Sequence, residues 1–283
     1  MERKINPMNK IGALLGYGPQ SDIRHEFSKF QELGLTCCQL SVWDVENMFT
    51  PEKAKAAREA AEEYGIEITA LWAGWTGPSA WNFTEGPQTL GIVPEEYREM
   101  RVEQLIRAAD FAEWLGVTDI ITHAGFLPEN PGSPEYLPVL EAIKRIALAY
   151  REKGKWFLFE TGQETPVTML RFIEEVGTGN LGINLDTANL ILYGKANTVD
   201  ALEVFGKYVR NTHFKDGLYP TCGKELGREV ALGEGRANVP GIVKKLKELG
   251  YTGPYVIERE ISGDQQIADI ASAKALLESC LAQ

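Results

Sequence analysis

Histidine is scarce in this chain, with three residues in 283, and the four cysteines include no CxxC pair. Neither a disulfide framework nor a cysteine-built zinc site is expected. Cys37 and Cys38 are adjacent and would face opposite sides of a strand. No stretch reaches the roughly 18 consecutive apolar residues of a membrane-spanning helix. The opening MERKINPMNKIGALLGYGP lacks the long apolar run of a secretory signal, so a cytoplasmic location is expected. Basic residues number 29 against 40 acidic ones, a net charge of −11, and no basic run is visible. Nucleic acid is therefore not expected as a partner, whereas a small substrate or a cation is. No GxGxxG follows the first apolar run and no GxxxxGK[ST] occurs anywhere, so the familiar phosphate-cradling turns are absent.

What the chain does have is alternation. Apolar runs stand at 11–16, 36–43, 67–72, 118–124, 156–160, 181–186, 209–214 and 255–260. Their apolar character on both faces is what a parallel sheet covered by helices requires. Amphipathic segments between them carry helix punctuation. Ser21 caps a helix that closes at Gly34, and Thr50 and Pro51 open one that closes at Gly65. Further helices are expected over 94–116 and 133–154, over the segments after the fifth, sixth and seventh runs, and over 264–282. Eight strand–helix repeats predict a (β/α)8 TIM barrel, a single domain spanning 1–283. A doubly wound sheet is the alternative. The longest irregular stretch, 73–93, contains Trp75, Trp81 and Phe83, which argues for an ordered functional loop.

The active site of such a barrel lies at the carboxyl ends of its strands. The fourth run ends at His123, the fifth at Glu160, the sixth at Asp186 and the seventh at His213, while the eighth carries Glu258 and Glu260. His25 lies on a helix and is expected to face solvent. Three carboxylates at one barrel mouth repel one another, and a divalent cation relieves that cost. An oxygen-rich set with one imidazole suits Mn²⁺ first, with Mg²⁺, Co²⁺ and Zn²⁺ as alternatives.

The fragments FET, NLDTAN, THFKDGLYP, LGEGRANVP and GYTGPYVIERE resemble the xylose-isomerase-like sugar isomerase/epimerase superfamily, and THAGFLPENP resembles strand four of its sugar phosphate isomerase/epimerase members. The resemblance to ketose 3-epimerases implies Glu160, Asp186, His213 and Glu258 as metal ligands, with Glu160 and Glu258 also moving the proton. Glu260 shares the strand parity of Glu258 and would replace it if the register were off by two. Where relatives often place a histidine three residues after the strand-six aspartate, this chain has Asn189. The superfamily also contains type IV AP endonucleases, but three histidines are too few for their trinuclear zinc site.

The resemblance implies a metal-dependent sugar or sugar-phosphate isomerase/epimerase working on a ketose through an enediolate. An inosose-type keto-sugar dehydratase and a non-catalytic sugar-binding barrel are the alternatives. Candidate substrate contacts are His123, Asn189, Lys215, Arg228, Trp43 and Trp72, with Trp75 and Glu234 as further candidates. No interface signature is visible, and pairing into a homo-oligomer stays open.

Overall fold

The computed structural model describes residues 10–283. The first nine residues, part of the opening that was read as lacking a secretory signal, lie outside the described residues. Strands β1 (Ile11–Gly16), β2 (Cys37–Val42), β3 (Glu67–Ala73), β4 (Asp119–Thr122), β5 (Trp156–Glu160), β6 (Leu181–Asp186) and β7 (Val209–Phe214) follow the expected runs closely. Two strands that the sequence reading missed come next: β8 (Asp216–Leu218) and β9 (Arg228–Val230) pair as an antiparallel hairpin. The last barrel strand is β10 (Tyr255–Ile257). Each barrel strand pairs in parallel with its chain neighbours, and β10 closes onto β1, giving an eight-stranded barrel.

Two strand ends need correction. The fourth run stops at Thr122 and the eighth at Ile257, so His123, Glu258 and Glu260 stand just past their strands. One cap also differs. Asp22, not Ser21, caps the first helix by accepting from His25 N, while Ser21 Oγ accepts from Gly18 N. Thr50 caps the helix Pro51–Tyr64, which ends at left-handed Gly65. Thr165, Pro166 and Gly177 do the same for Pro166–Val176. His25 is exposed, as expected, and the four cysteines are unpaired.

The main core lies between the sheet and its helices, where Phe27, Phe111, Phe157 and Phe172 are fully buried. A smaller cluster, including Trp72, Trp75, Ile121 and Leu158, forms a second buried core. Buried polar side chains from β2, β6 and β7 form a chain that runs up to Glu160. Among the described residues, no helix is long and apolar enough to cross a membrane.

Candidate active site

Register brings the strand tips together. Asp186 pairs with His213, and Val256 pairs with His213 from the other side, so Glu258 follows two residues beyond. Glu160, Asp186, His213 and Glu258 each offer one ligand atom, and these four atoms lie within 4.8 Å of one another. His213 Nδ1 sits 2.9 Å from Glu160 Oε1 and 3.0 Å from Glu258 Oε2. Glu260 is outside this set, and its backbone N–H donates to Glu229.

The orientation of His213 is forced from below. Asn184 Nδ2 donates to Glu160 Oε2, so Asn184 Oδ1 faces down and accepts from Gln39 Nε2 at 2.9 Å. Asn211 Nδ2 donates to Asp119 Oδ2, so its Oδ1 also faces Gln39 Nε2, at 3.1 Å. Two carboxylates thereby fix both amides, and Gln39 Oε1 is left to face His213 Nε2 at 2.6 Å. His213 must donate from Nε2 there, which turns Nδ1 toward the carboxylates as the ligating nitrogen. Asp186 is prepared in a similar way. Its Oδ1 accepts from the backbone N–H groups of Ala188 and Asn189, both at 2.7 Å, while its fully buried Oδ2 has no hydrogen-bond partner. Lys215 Nζ lies 3.2 Å from Oδ2, close enough for charge attraction without completing a hydrogen bond.

The electrostatics are those of crowded anions. Burial pushes Asp186 well above the usual carboxylate range, with Glu258 and Glu160 adding to the rise against the pull of Lys215. Burial would raise Glu258 too, but Lys215 and His213 outweigh it and hold Glu258 well below its ordinary value. Burial alone would lower His213, yet the flanking Glu160 and Glu258 hold it well above the usual imidazole range. A partnerless buried carboxylate oxygen, a lone pair aimed by its neighbours and two further carboxylates fit a divalent cation with a mostly oxygen ligand set.

Above the four lies a cavity of about 410 Å³, lined among others by Trp43, Trp72, Trp81, His123, Asn189 and Tyr193. His123 Nδ1 is 3.2 Å from Gln163 Oε1, whose amide nitrogen donates to Tyr193 OH, and burial lowers the His123 pKa. Asn189 begins the short helix Asn189–Leu192 and lines the same cavity. Four expected contacts are placed elsewhere. Lys215 turns into the carboxylates, donating to Glu258 and Glu260 at 3.2 and 3.0 Å, because unbalanced negative charge attracts its ammonium. Arg228 and Glu234 are exposed on β9 and the following loop, and neither lines the cavity. Trp75 is buried beneath Trp43, their rings 5.3 Å apart.

Several residues with a structural hand in the site were not singled out in the sequence. Gln39, Asn184 and Asn211 were one group, though a polar residue inside a strand buried on both faces is itself a signal of a partner. Asp216 is another. Its carboxylate accepts from the backbone N–H groups of Gly217, Gly233, Gly235 and Ala237 and folds the LGEGRAN loop around itself. A side chain at Gly235 would strike Asp216 Oδ1 at 2.1 Å, which explains that glycine. Arg101 is fully buried, and its guanidinium donates to the carbonyls of Thr76, Pro78, Thr89 and Gly91, fastening the loop over 73–93.

Comparison with known proteins agrees with this fold. The sequence profile of the xylose isomerase-like TIM barrel family matches residues 27–280. The chain belongs to that family. A crystal structure of a xylose isomerase domain protein from Planctomyces limnophilus is 36% identical, with a TM-score of 0.88, covering 95% of this chain and 96% of that one. An uncharacterized protein of Methanocaldococcus jannaschii is 27% identical over 246 residues, 82% of this chain and 76% of its own length. A D-psicose 3-epimerase from Clostridium cellulolyticum H10, solved with D-tagatose, shares the fold at 15% identity, with a TM-score of 0.70 over 96% of this chain and 99% of the other.

Proposed function

We propose that the protein is a divalent-metal-dependent isomerase or epimerase that acts on a keto-sugar, with Mn²⁺ as the first metal to test. The reading is carried by one observation: Glu160, Asp186, His213 and Glu258 converge beneath a sugar-sized cavity with Asp186 Oδ2 buried and without a hydrogen-bond partner. These four residues would hold the cation. When bound, it supplies Lewis acidity toward the negative charge that develops on substrate oxygens.

The rest of the chemistry belongs to the chain. Glu160 and Glu258 flank His213 and both line the cavity, so they can address one substrate carbon from two sides. One carboxylate takes the proton from the carbon next to the carbonyl, and the other returns a proton from the opposite side, which inverts that carbon. Return to the neighbouring carbon gives an aldose–ketose isomerisation instead. His123 and Asn189 offer hydrogen-bonding groups to hydroxyls, and Trp43 and Trp72 offer apolar faces to the sugar ring. Four unpaired cysteines suit a reducing compartment, in keeping with a cytoplasmic location.

Proton exchange is the test. The Mn²⁺-supplied protein, incubated with keto-sugars in D₂O, should place deuterium at the carbon beside the carbonyl and produce an epimer or aldose. Loss of water from the sugar would reassign the protein as a dehydratase. Tight sugar binding without exchange would leave only a binding protein.

A further inference from the structure

We propose that the sugar accepted here is unphosphorylated and carries a second ring, as in a glycosyl ketose or a keto-glycoside, with that ring lying on Trp43 and Trp81. The inference rests on the isomerase reading for which carbon reacts, but not for which ligand binds.

Charge supplies the first half. Among the described residues, no lysine or arginine lines the cavity, whereas Glu160, Glu258 and Glu260 do. Lys215, the nearby cation, is buried and within 3.2 Å of Asp186 and Glu258 and 3.0 Å of Glu260, so it is already committed to anions. Arg228 stands exposed on β9, outside the lining. A phosphate group carries about −1.5 to −2 charges at neutral pH and needs an arginine cluster or a bed of N–H donors. The lining offers neither. A neutral sugar needs no such donors.

Size and surface supply the second half. The cavity of about 410 Å³ falls within the roughly 300–1,000 Å³ typical of sites that enclose drug-sized molecules, which leaves room beyond a single sugar ring. Most of the indole cluster is sealed: Trp72 and Trp75 are 4% and 3% exposed. Trp43 and Trp81, by contrast, are 42% and 40% exposed at the mouth of the same cavity. Their rings stand 6.3 Å apart at 89°, forming a corner with two apolar walls. The corner adjoins the reacting end, because Trp81 lies 5.0 Å from the His123 ring and Trp43 lies 4.8 Å from Trp72.

The corner is also rigid. Trp43 packs so closely on Gly74 that a side chain there would meet its Cα at 2.8 Å, and Arg101 fastens the loop that carries Trp81. That loop reaches across the mouth, where Phe83 N donates to Lys224 O at 3.3 Å. Two exposed indoles held open beside a cavity are costly unless something apolar covers them. The C–H face of a second sugar ring is such a surface, and aromatic pairs of this kind stack on it with little loss of freedom.

Calorimetric titration of the Mg²⁺-supplied protein tests the proposal with D-fructose, fructose 6-phosphate, lactulose, isomaltulose and a phenyl 3-keto-glucoside. At least one two-ring sugar should bind ten or more times tighter than fructose, and fructose 6-phosphate should bind no better than fructose. Trp81→Ala should cost that two-ring sugar fivefold or more while changing fructose by less than twofold, whereas Trp43→Ala, whose ring also faces the reacting sugar, should weaken both. Preference for the phosphate, no gain from any second ring, or a Trp81→Ala variant that affects both sugar classes equally would each overturn the proposal. Binding of a two-ring sugar without proton exchange in D₂O would uphold it and contradict the isomerase reading. Exchange on single-ring ketoses with no gain from a second ring would do the reverse.

Discussion

Gln39 is the residue whose replacement most sharply separates a tuned metal centre from a cluster of charges. Its amide is fully buried and makes four contacts: it accepts from His213 Nε2 at 2.6 Å and donates to Asn184 Oδ1, Asn211 Oδ1 and Thr212 O at 2.9, 3.1 and 3.4 Å. Gln39→Met fills similar space and makes none of these. His213 Nε2, Asn184 Oδ1 and Asn211 Oδ1 are then left in the barrel interior without their partner. Each such group costs about 1–3 kcal/mol, so stability should fall by about 3–9 kcal/mol. A separate effect acts on the metal, because His213 loses the contact that selects its tautomer. Loss of a hydrogen bond behind a metal-ligating histidine costs about 10–100-fold in affinity, or about 1.4–2.8 kcal/mol. Mn²⁺ titration by calorimetry, well below the unfolding temperature, reads this directly. Leu71→Ala is the control. It empties a fully buried site on β3, costs about 2–5 kcal/mol in stability, and should leave the Mn²⁺ affinity unchanged. If Gln39→Met binds Mn²⁺ within twofold of the unaltered protein, the tautomer argument is wrong.

Three further expectations follow from the same contacts. Arg101→Ala strips four carbonyls of the 73–93 loop of their donor, so stability should drop by about 3–5 kcal/mol and limited proteolysis should cut within that loop; Arg101→Lys, lacking the planar fork, should restore only part of it. Glu164 is held neutral by burial, its pKa pushed up from 4.5 to about 8. The folded state therefore keeps this proton over a range where the unfolded chain has lost it, so the stabilising contribution is complete below about pH 4.5 and gone above about pH 8, a change of up to about 5 kcal/mol. Glu164→Gln should flatten that decline in a pH series of denaturation curves, and an unchanged slope would refute it. Asp186 and His213 both hold protons more tightly than ordinary groups of their kind, and a cation competes with those protons, so metal affinity should rise with pH, and calorimetry in buffers of different ionisation heat should register proton release.

The barrel and its strand tips were legible in the sequence because both rest on local signals. A parallel strand buried on both faces is a plain apolar run, and Glu160, Asp186 and His213 interrupt such runs at their ends. Thr50, followed by Pro51, marked a helix start for the same reason. The supports of the site were harder to see because their partners are far apart in the chain. Gln39 reaches residues 145 and 172 positions away, and nothing around it in CCQLSV announces Asn184 or Asn211. Arg101 lies in a helix rich in charges, where one more arginine reads as solvated. The hairpin escaped notice because strands of three residues are too short for periodicity to register. The inward turn of Lys215 depends on the summed field of three carboxylates, which only the assembled barrel provides.

The central claim is that Glu160, Asp186, His213 and Glu258 form one divalent-cation site. Elemental analysis after equilibration with Mn²⁺ and removal of free metal tests it most directly, comparing the unaltered protein with Glu160→Gln and Asp186→Asn. Asp186→Asn keeps the shape of the side chain but removes the charge at the partnerless Oδ2. One equivalent of metal in the unaltered protein and a large loss in both variants is the expected result. Full retention of metal in both variants would contradict the account.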